Sequence, residues 1–237
     1  MAARVADKKE QKRKSWRRET QAAFLPPRVI RKGTEMDTTI NSRQKYSVRT
    51  LTSIAVLSAV SFILAFFEFP VPFSPSFARM DISEFPALIG AFAFGPAAGV
   101  MIELIKNLLQ LMSSATGGIG ELANFLMGSS FVWTAGFIYK RHKTKKGALA
   151  AGIIGSIAMG ITAILTNYYI LLPLFSQFMP VDELIAAFSE FMPFIKTKLD
   201  VVLYNAFPFN VLKGLAITML AMLTYKRLSP VLKGVQR

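Results

Sequence analysis

The chain has 237 residues, 52% of them hydrophobic, with 28 Lys and Arg against 14 Asp and Glu, a formal net charge of +14. It has no cysteine and a single histidine, His142, in a basic loop, which excludes disulfides, thiolate metal sites, zinc-histidine clusters, cysteine nucleophiles and Ser-His-Asp triads. The mean hydropathy of +0.41 comes from apolar blocks separated by short charged or Pro/Gly segments. That pattern reads as an all-α membrane protein, because about 20 mostly apolar residues in a helix cross a hydrocarbon layer of about 30 Å.

Residues 1–47 are polar, rich in Lys and Arg, and lack the apolar centre of a secretory signal. They read as a disordered basic cytoplasmic tail attracted to anionic lipid. Met36 opens a short natural lead into the first apolar block, so residues 1–35 are a candidate for a segment absent from the native product. The membrane domain is expected over 48–228, followed by a basic cytoplasmic tail at 229–237.

Six spans are predicted, the first at 49–67. Ala55 and Ala59 form an AxxxA pattern there, small residues four apart that let another helix approach closely, either within the bundle or from a partner. The loop from 67 to 86 is proline-rich and has no helical periodicity, which suits a lid over a pocket or a passive connector. The second and third spans, 84–95 and 96–113, are divided only by Gly95 and Pro96, which read as a tight turn or kink. In the third, Glu103, Lys106, Asn107 and Gln110 fall at i, i+3, i+4 and i+7, forming one polar stripe. An internal Glu103-Lys106 pair is the plain reading of its first half.

Between the third and fourth spans lies SATGGIGELANF, residues 114–125. Its glycines allow a tight turn and close approach of backbone to a ligand. Glu121 and Asn124 share a face at the mouth of the fourth span, 119–139. There Glu121 either caps the helix, where a carboxylate is favoured, or orients Lys213 or accepts from a ligand hydroxyl. The fifth span, 147–172, carries Asn167 beside Tyr168, and the sixth, 203–225, carries Asn210 and Lys213 three residues apart. The segment 181–200 is too short of apolar residues to span; Leu184, Phe188 and Phe191 place it as a helix capping the outer surface, or as a structured loop.

Basic residues crowd the N-terminal tail, the KRHKTKK loop at 140–146 and the C-terminal end, whereas the intervening loops carry mixed or acidic charge. The positive-inside rule then places both termini and the 140–146 loop in the cytoplasm, and this distribution argues against nucleic acid as the partner of the positive charge. In that topology Asn107, Gln110, Glu121, Asn124, Asn167, Asn210 and Lys213 all fall in the outer half of the membrane. Polar residues in hydrocarbon are costly unless paired or functional, and their shared depth on four spans points to a pocket open to the outside. Lys213 reads as unpaired. No GxxxxGK[ST] phosphate loop occurs, so this chain does not hydrolyse ATP through such a loop.

The strings DISEFPALIGAFAFGPAAGVMIELIKNLL, SATGGIGELANF and PFNVLKG together resemble the riboflavin-specific substrate-binding subunit of energy-coupling factor vitamin transporters, over roughly residues 48–228. The resemblance implies six membrane helices, a pocket near the outer face, and partners comprising one transmembrane coupling protein and two cytoplasmic ATPases in the cell membrane. Riboflavin is then a bound substrate, with no resident cofactor and no enzymatic step. Asn107, Gly118, Asn124, Asn167, Asn210 and Lys213 become the candidate binding residues, since carboxamides can donate and accept along the flavin edge and Lys213 resembles a substrate-contacting lysine of the family. Glu121 and Phe73 are candidates for orienting or gating, and Ala55 and Ala59 resemble the docking surface for the coupling protein. Alternatives are the same scaffold carrying thiamin, biotin or a folate, of which cationic thiamin fits poorly beside Lys213, and an intramembrane enzyme using Glu121 and Glu103.

Overall fold

The computed structural model describes residues 48–70, 79–114, 116–177 and 180–234. Regular structure among them is helical, apart from one antiparallel pairing of β1 (Phe69–Pro70) with β2 (Arg79–Met80), in which Phe69 faces Met80. The tail at 1–47 with Met36, and residues 71–78 of the expected lid with Phe73, lie outside the described residues. The pairing is a small addition to the expected irregular loop: it brings the two ends of that loop together.

Helix α1 (Val48–Leu64) turns Ile54, Ser58 and Ser61 inward and leaves Ala55 and Ala59 exposed. Helix α2 (Glu84–Phe94) and helix α3 (Pro96–Gln110) are separate elements. Gly95 between them has φ +101°, a conformation that disfavours any residue with a Cβ, and Pro96 starts α3 where its missing N–H costs nothing. Thus the Gly-Pro step is a break between helices. Helix α2 is buried on nearly every side, from Glu84 to Ala93, and α1, α3 and two later helices, Ile119–Arg141 and Phe207–Gly234, pack against it.

Helix α4 (Ile119–Arg141) and helix α5 (Lys145–Thr166) are long antiparallel neighbours. Thr144 caps α5, its side chain accepting the Gly147 N–H. The two helices come close because their facing residues are small: a Cβ at Gly155 would lie 2.9 Å from the Phe131 carbonyl oxygen and 3.1 Å from the Ala135 Cβ. Helix α5 continues through a wide π-type turn at Asn167–Leu171 into α6 (Leu172–Phe175). After α7 (Val181–Ser189), helix α8 (Lys198–Val201) leads through a second wide turn, Val202–Ala206, into α9 (Phe207–Gly234). By length and composition, two of these helical runs, Lys145–Phe175 and Lys198–Thr224, can each cross a bilayer, while α1 and α2 are shorter apolar helices.

The segment 181–200 is helical over Val181–Ser189, where its periodicity suggests a helix, and again from Lys198, with turns and bends between. Leu184 and Phe188 are buried with Leu172, Ile195, Val201, Val202 and Ala206 in a small core of their own. Phe191 is exposed instead. The helix ends at Ser189, so Phe191 leaves the register that would have put it on the same face.

Candidate functional site

The polar interior begins with the chain entering α2. Asp81 Oδ1 accepts the backbone N–H of Ser83 at 2.7 Å, and the Ser83 carbonyl accepts the Ser61 hydroxyl of α1 at 2.8 Å. This local knot fixes the start of α2 and carries Glu84 into the interior, where its side chain has no exposed surface. From α9, Lys213 donates to Glu84 Oε1 at 2.8 Å and to Asp81 Oδ2 at 3.0 Å. From α3, Lys106 meets Glu103 Oε2 at 2.8 Å, donates to Ser83 Oγ at 3.0 Å, and lies 3.5 Å from the same Glu84 oxygen. Glu84 therefore joins the two lysines into one buried network across α2, α3 and α9.

Burial by itself would raise the Asp81 carboxyl, but Lys213 and then Lys106 outweigh it, and the bonds from Ser83 act in the same direction. The result holds Asp81 well below the usual carboxylate range. Two carboxylate oxygens of the network, Glu84 Oε2 and Glu103 Oε1, are buried without a hydrogen-bond partner. The stripe on α3 extends outward from this network. Asn107 donates to the Glu103 carbonyl at 2.8 Å and accepts from Asn124 of α4 at 3.3 Å. One turn further on, Gln110 Oε1 is buried without a partner.

The glycine-rich turn leads into α4 through Gly117 and Gly118, both at positive φ. Ser114 Oγ accepts the Thr116 and Gly118 N–H groups and donates to Glu121 Oε2 at 2.8 Å, and Thr116 Oγ1 donates to the same oxygen at 3.1 Å. Glu121 thus ties the turn to the first turn of α4. Glu121 takes the Ser114 and Thr116 hydroxyls in place of a helix N–H, and the partners of Lys213 are Asp81 and Glu84, so Glu121 neither caps α4 through that helix's N–H groups nor orients Lys213. Asn107, Gly118 and Glu121 line a cavity of about 130 Å³ between α3 and α4, with Leu104, Leu108 and Phe125 among its apolar walls. This is smaller than the roughly 300–1,000 Å³ of pockets that enclose a drug-sized ligand, so it can accept only part of one.

Asn167, just past the end of α5, and Asn210, on α9, stand apart from that cavity. Each donates to the carbonyl one turn earlier, Asn167 to Ala163 at 2.8 Å and Asn210 to Ala206 at 2.9 Å. Asn167 opens the first π-type turn, and the second one immediately precedes α9; the two turns lie against one another. Such turns widen a helix and expose backbone groups, and they recur at functional sites. Asn210 is buried one turn before Lys213. Sequence reasoning thus found the α3, α4 and α9 polar positions but took Lys213 to be unpaired. The missed residues are Asp81, Ser83 and Glu84. The available signal was that two lysines within apolar helices require carboxylates of matching depth, and the acidic DISE string opens an otherwise apolar helix.

A second hollow, of about 480 Å³, lies between the start of α1 and the end of α2, bordered by Arg49, Val56, Leu57, Ala93 and Phe94. It adjoins the exposed face of α1 that carries Ala55 and Ala59.

Apolar helices, two of the runs long enough to cross a bilayer, enclose a buried ionic network, which defines a helical protein with a polar interior. More narrowly, residues 49–225 match the family described as ECF transporter, substrate-specific component, and the chain belongs to that family. It is 36% identical over 200 residues to the riboflavin transporter RibU of Staphylococcus aureus (strain TCH60), covering 83% of this chain and 100% of that one. It is 33% identical over 186 residues to the riboflavin transporter FmnP of Bacillus subtilis (strain 168), covering 77% and 93%. A solved structure of the S component of a bacterial ECF transporter superposes with a TM-score of 0.63 at 34% identity, covering 80% of this chain and 98% of that chain.

Proposed function

We propose that this chain is the riboflavin-capturing subunit of an ECF-type uptake transporter in the cell membrane. The observation that carries this reading is the 36% identity extending over the whole length of a riboflavin transporter. Six spans with both termini cytoplasmic would direct Asn107, Asn124, Asn167, Asn210 and Lys213 toward the outer half of the bilayer, where vitamin arrives. Riboflavin is the cargo, and the carboxamides of Asn124, Asn167 and Asn210 supply donors and acceptors for the ring edge and the ribityl hydroxyls. The backbone at Gly118 permits close approach, while Asn107 positions Asn124 through its side-chain bond. Lys213 donates to a carbonyl or ring nitrogen of the flavin, exchanging one of its present carboxylate contacts for the ligand. Phe73, outside the described residues, remains the aromatic candidate for gating.

Transport energy comes from a transmembrane coupling protein and two cytoplasmic ATPases. The exposed Ala55-Ala59 face of α1, with the adjoining hollow, suits the approach of a partner helix. Replacing Ala59 with Trp is expected to prevent co-purification of the coupling protein while leaving riboflavin affinity unchanged; a variant that still assembles overturns the docking assignment. The flavin reading is tested by the visible absorption spectrum of protein purified in detergent without added ligand. A flavin band lost on denaturation and dialysis supports it. A colourless protein that also fails to quench riboflavin fluorescence overturns it.

A further inference from the structure

We propose that binding at Lys213 draws a proton from solvent onto Glu103. The inference rests on the ligand-contacting role given to Lys213 above and follows from charge and geometry. Asp81, Glu84 and Glu103 are three carboxylates against the two ammoniums of Lys106 and Lys213, so the fully ionised network carries one negative charge in excess. An uncompensated charge in so buried a place is costly, so the ligand-free network stays ionised only while both ammoniums hold their carboxylates, and losing one such contact favours proton uptake.

A ligand acceptor that takes a hydrogen of Lys213 draws the ammonium away from Glu84 Oε1. Glu84 then depends on Lys106, 3.5 Å away, which Glu103 already holds at 2.8 Å. Two buried carboxylates compete for one ammonium, and Glu103 is the member that yields. Its Oε1 has no partner, and its Oε2 has only Lys106 and a long 3.4 Å contact from Asn107. Asp81 keeps the Ser83 N–H and is partly exposed, so it stays ionised.

The charged groups facing Glu103 are Lys106 on its own helix, Glu84 with Asp81 beyond it on the α2 side, and Lys213 on α9. From α4 the contact is Gly128, where a Cβ would lie 2.6 Å from Glu103 Oε2, and from α1 the uncharged Ser61 reaches the network through the Ser83 carbonyl. Glu121 is engaged with Ser114 and Thr116. The proton passes from water or buffer acid to a Glu103 carboxylate oxygen, giving the neutral acid; no other bond is made or broken.

Calorimetric titration of the detergent-purified, ligand-free protein with riboflavin, in phosphate and in Tris at one pH, tests the proposal. Heat from the buffer that supplies the proton adds to the binding heat. The expected result is a buffer-dependent enthalpy in the sense of uptake, up to one proton per site, and an affinity that strengthens by up to tenfold for each unit fall in pH. Glu103→Gln is expected to bind riboflavin with no buffer dependence. Equal enthalpies in the two buffers for the unaltered protein, or a dependence that persists in Glu103→Gln, overturns the proposal while leaving the flavin reading intact. Absence of any isotherm overturns both. Should the variant fail to fold, the buffer comparison and pH slope of the unaltered protein still decide.

Discussion

Replacing Lys106 with Met keeps the length and most of the volume of the side chain but removes its charge. Lys106 has no exposed surface, as has Glu103, its partner at 2.8 Å, and it also donates to Ser83 Oγ. Removing one partner of a buried pair leaves the other charged and desolvated, which costs about 3–5 kcal/mol. Glu103→Gln alone should cost less, because Lys106 retains Ser83 and Glu84. If the loss in Lys106→Met is mainly the stranded Glu103 charge, adding Glu103→Gln to it should recover about 0.5–3 kcal/mol, the usual coupling between residues in direct contact. The assay is a double-mutant cycle on equilibrium unfolding in a fixed detergent, with single transitions confirmed for all four proteins. Additive effects of the two substitutions would refute the reasoning, since they would mean that Lys106 contributes by packing alone.

Further outcomes follow from other parts of the molecule. Because the two lysines depress Asp81 below its unfolded value of about 3.9, its contribution to stability is complete above that pH and is lost as pH falls from there toward its folded value. Thermal unfolding in detergent should therefore show an acid-side decline that is smaller in Asp81→Asn; equal declines would contradict the assignment. Gly155→Ala should destabilise by about 1–3 kcal/mol, because the new methyl meets the Phe131 carbonyl oxygen, a backbone atom that cannot rotate away. An unchanged unfolding midpoint would show that α4 and α5 are less tightly packed than their contact implies.

Membrane character was legible from the sequence because block hydrophobicity is a property of each segment alone. The break at Gly95-Pro96 was legible for the same reason: a residue without a Cβ followed by one without an N–H determines a local backbone outcome. The i, i+3, i+4 spacing of Glu103, Lys106 and Asn107 likewise placed them on one face, and the Glu103-Lys106 pair closes within one helix. Each of these depends on neighbours in the chain.

The partners of Lys213 could not be read that way. Asp81 and Glu84 lie 132 and 129 residues from it along the chain, and only the packing of α9 against α2 brings them to 3.0 and 2.8 Å. The same limit applies to Glu121, whose choice between the local turn and Lys213 depended on which group came within reach, and to the two wide turns that bring the ends of α5 and α9 together. Helix periodicity determined which residues share a face. Which faces meet, and which charge neutralises which, was decided by tertiary packing, because a hydrogen bond or ion pair forms over about 3 Å and carries no trace in sequence of the distance its partners have travelled.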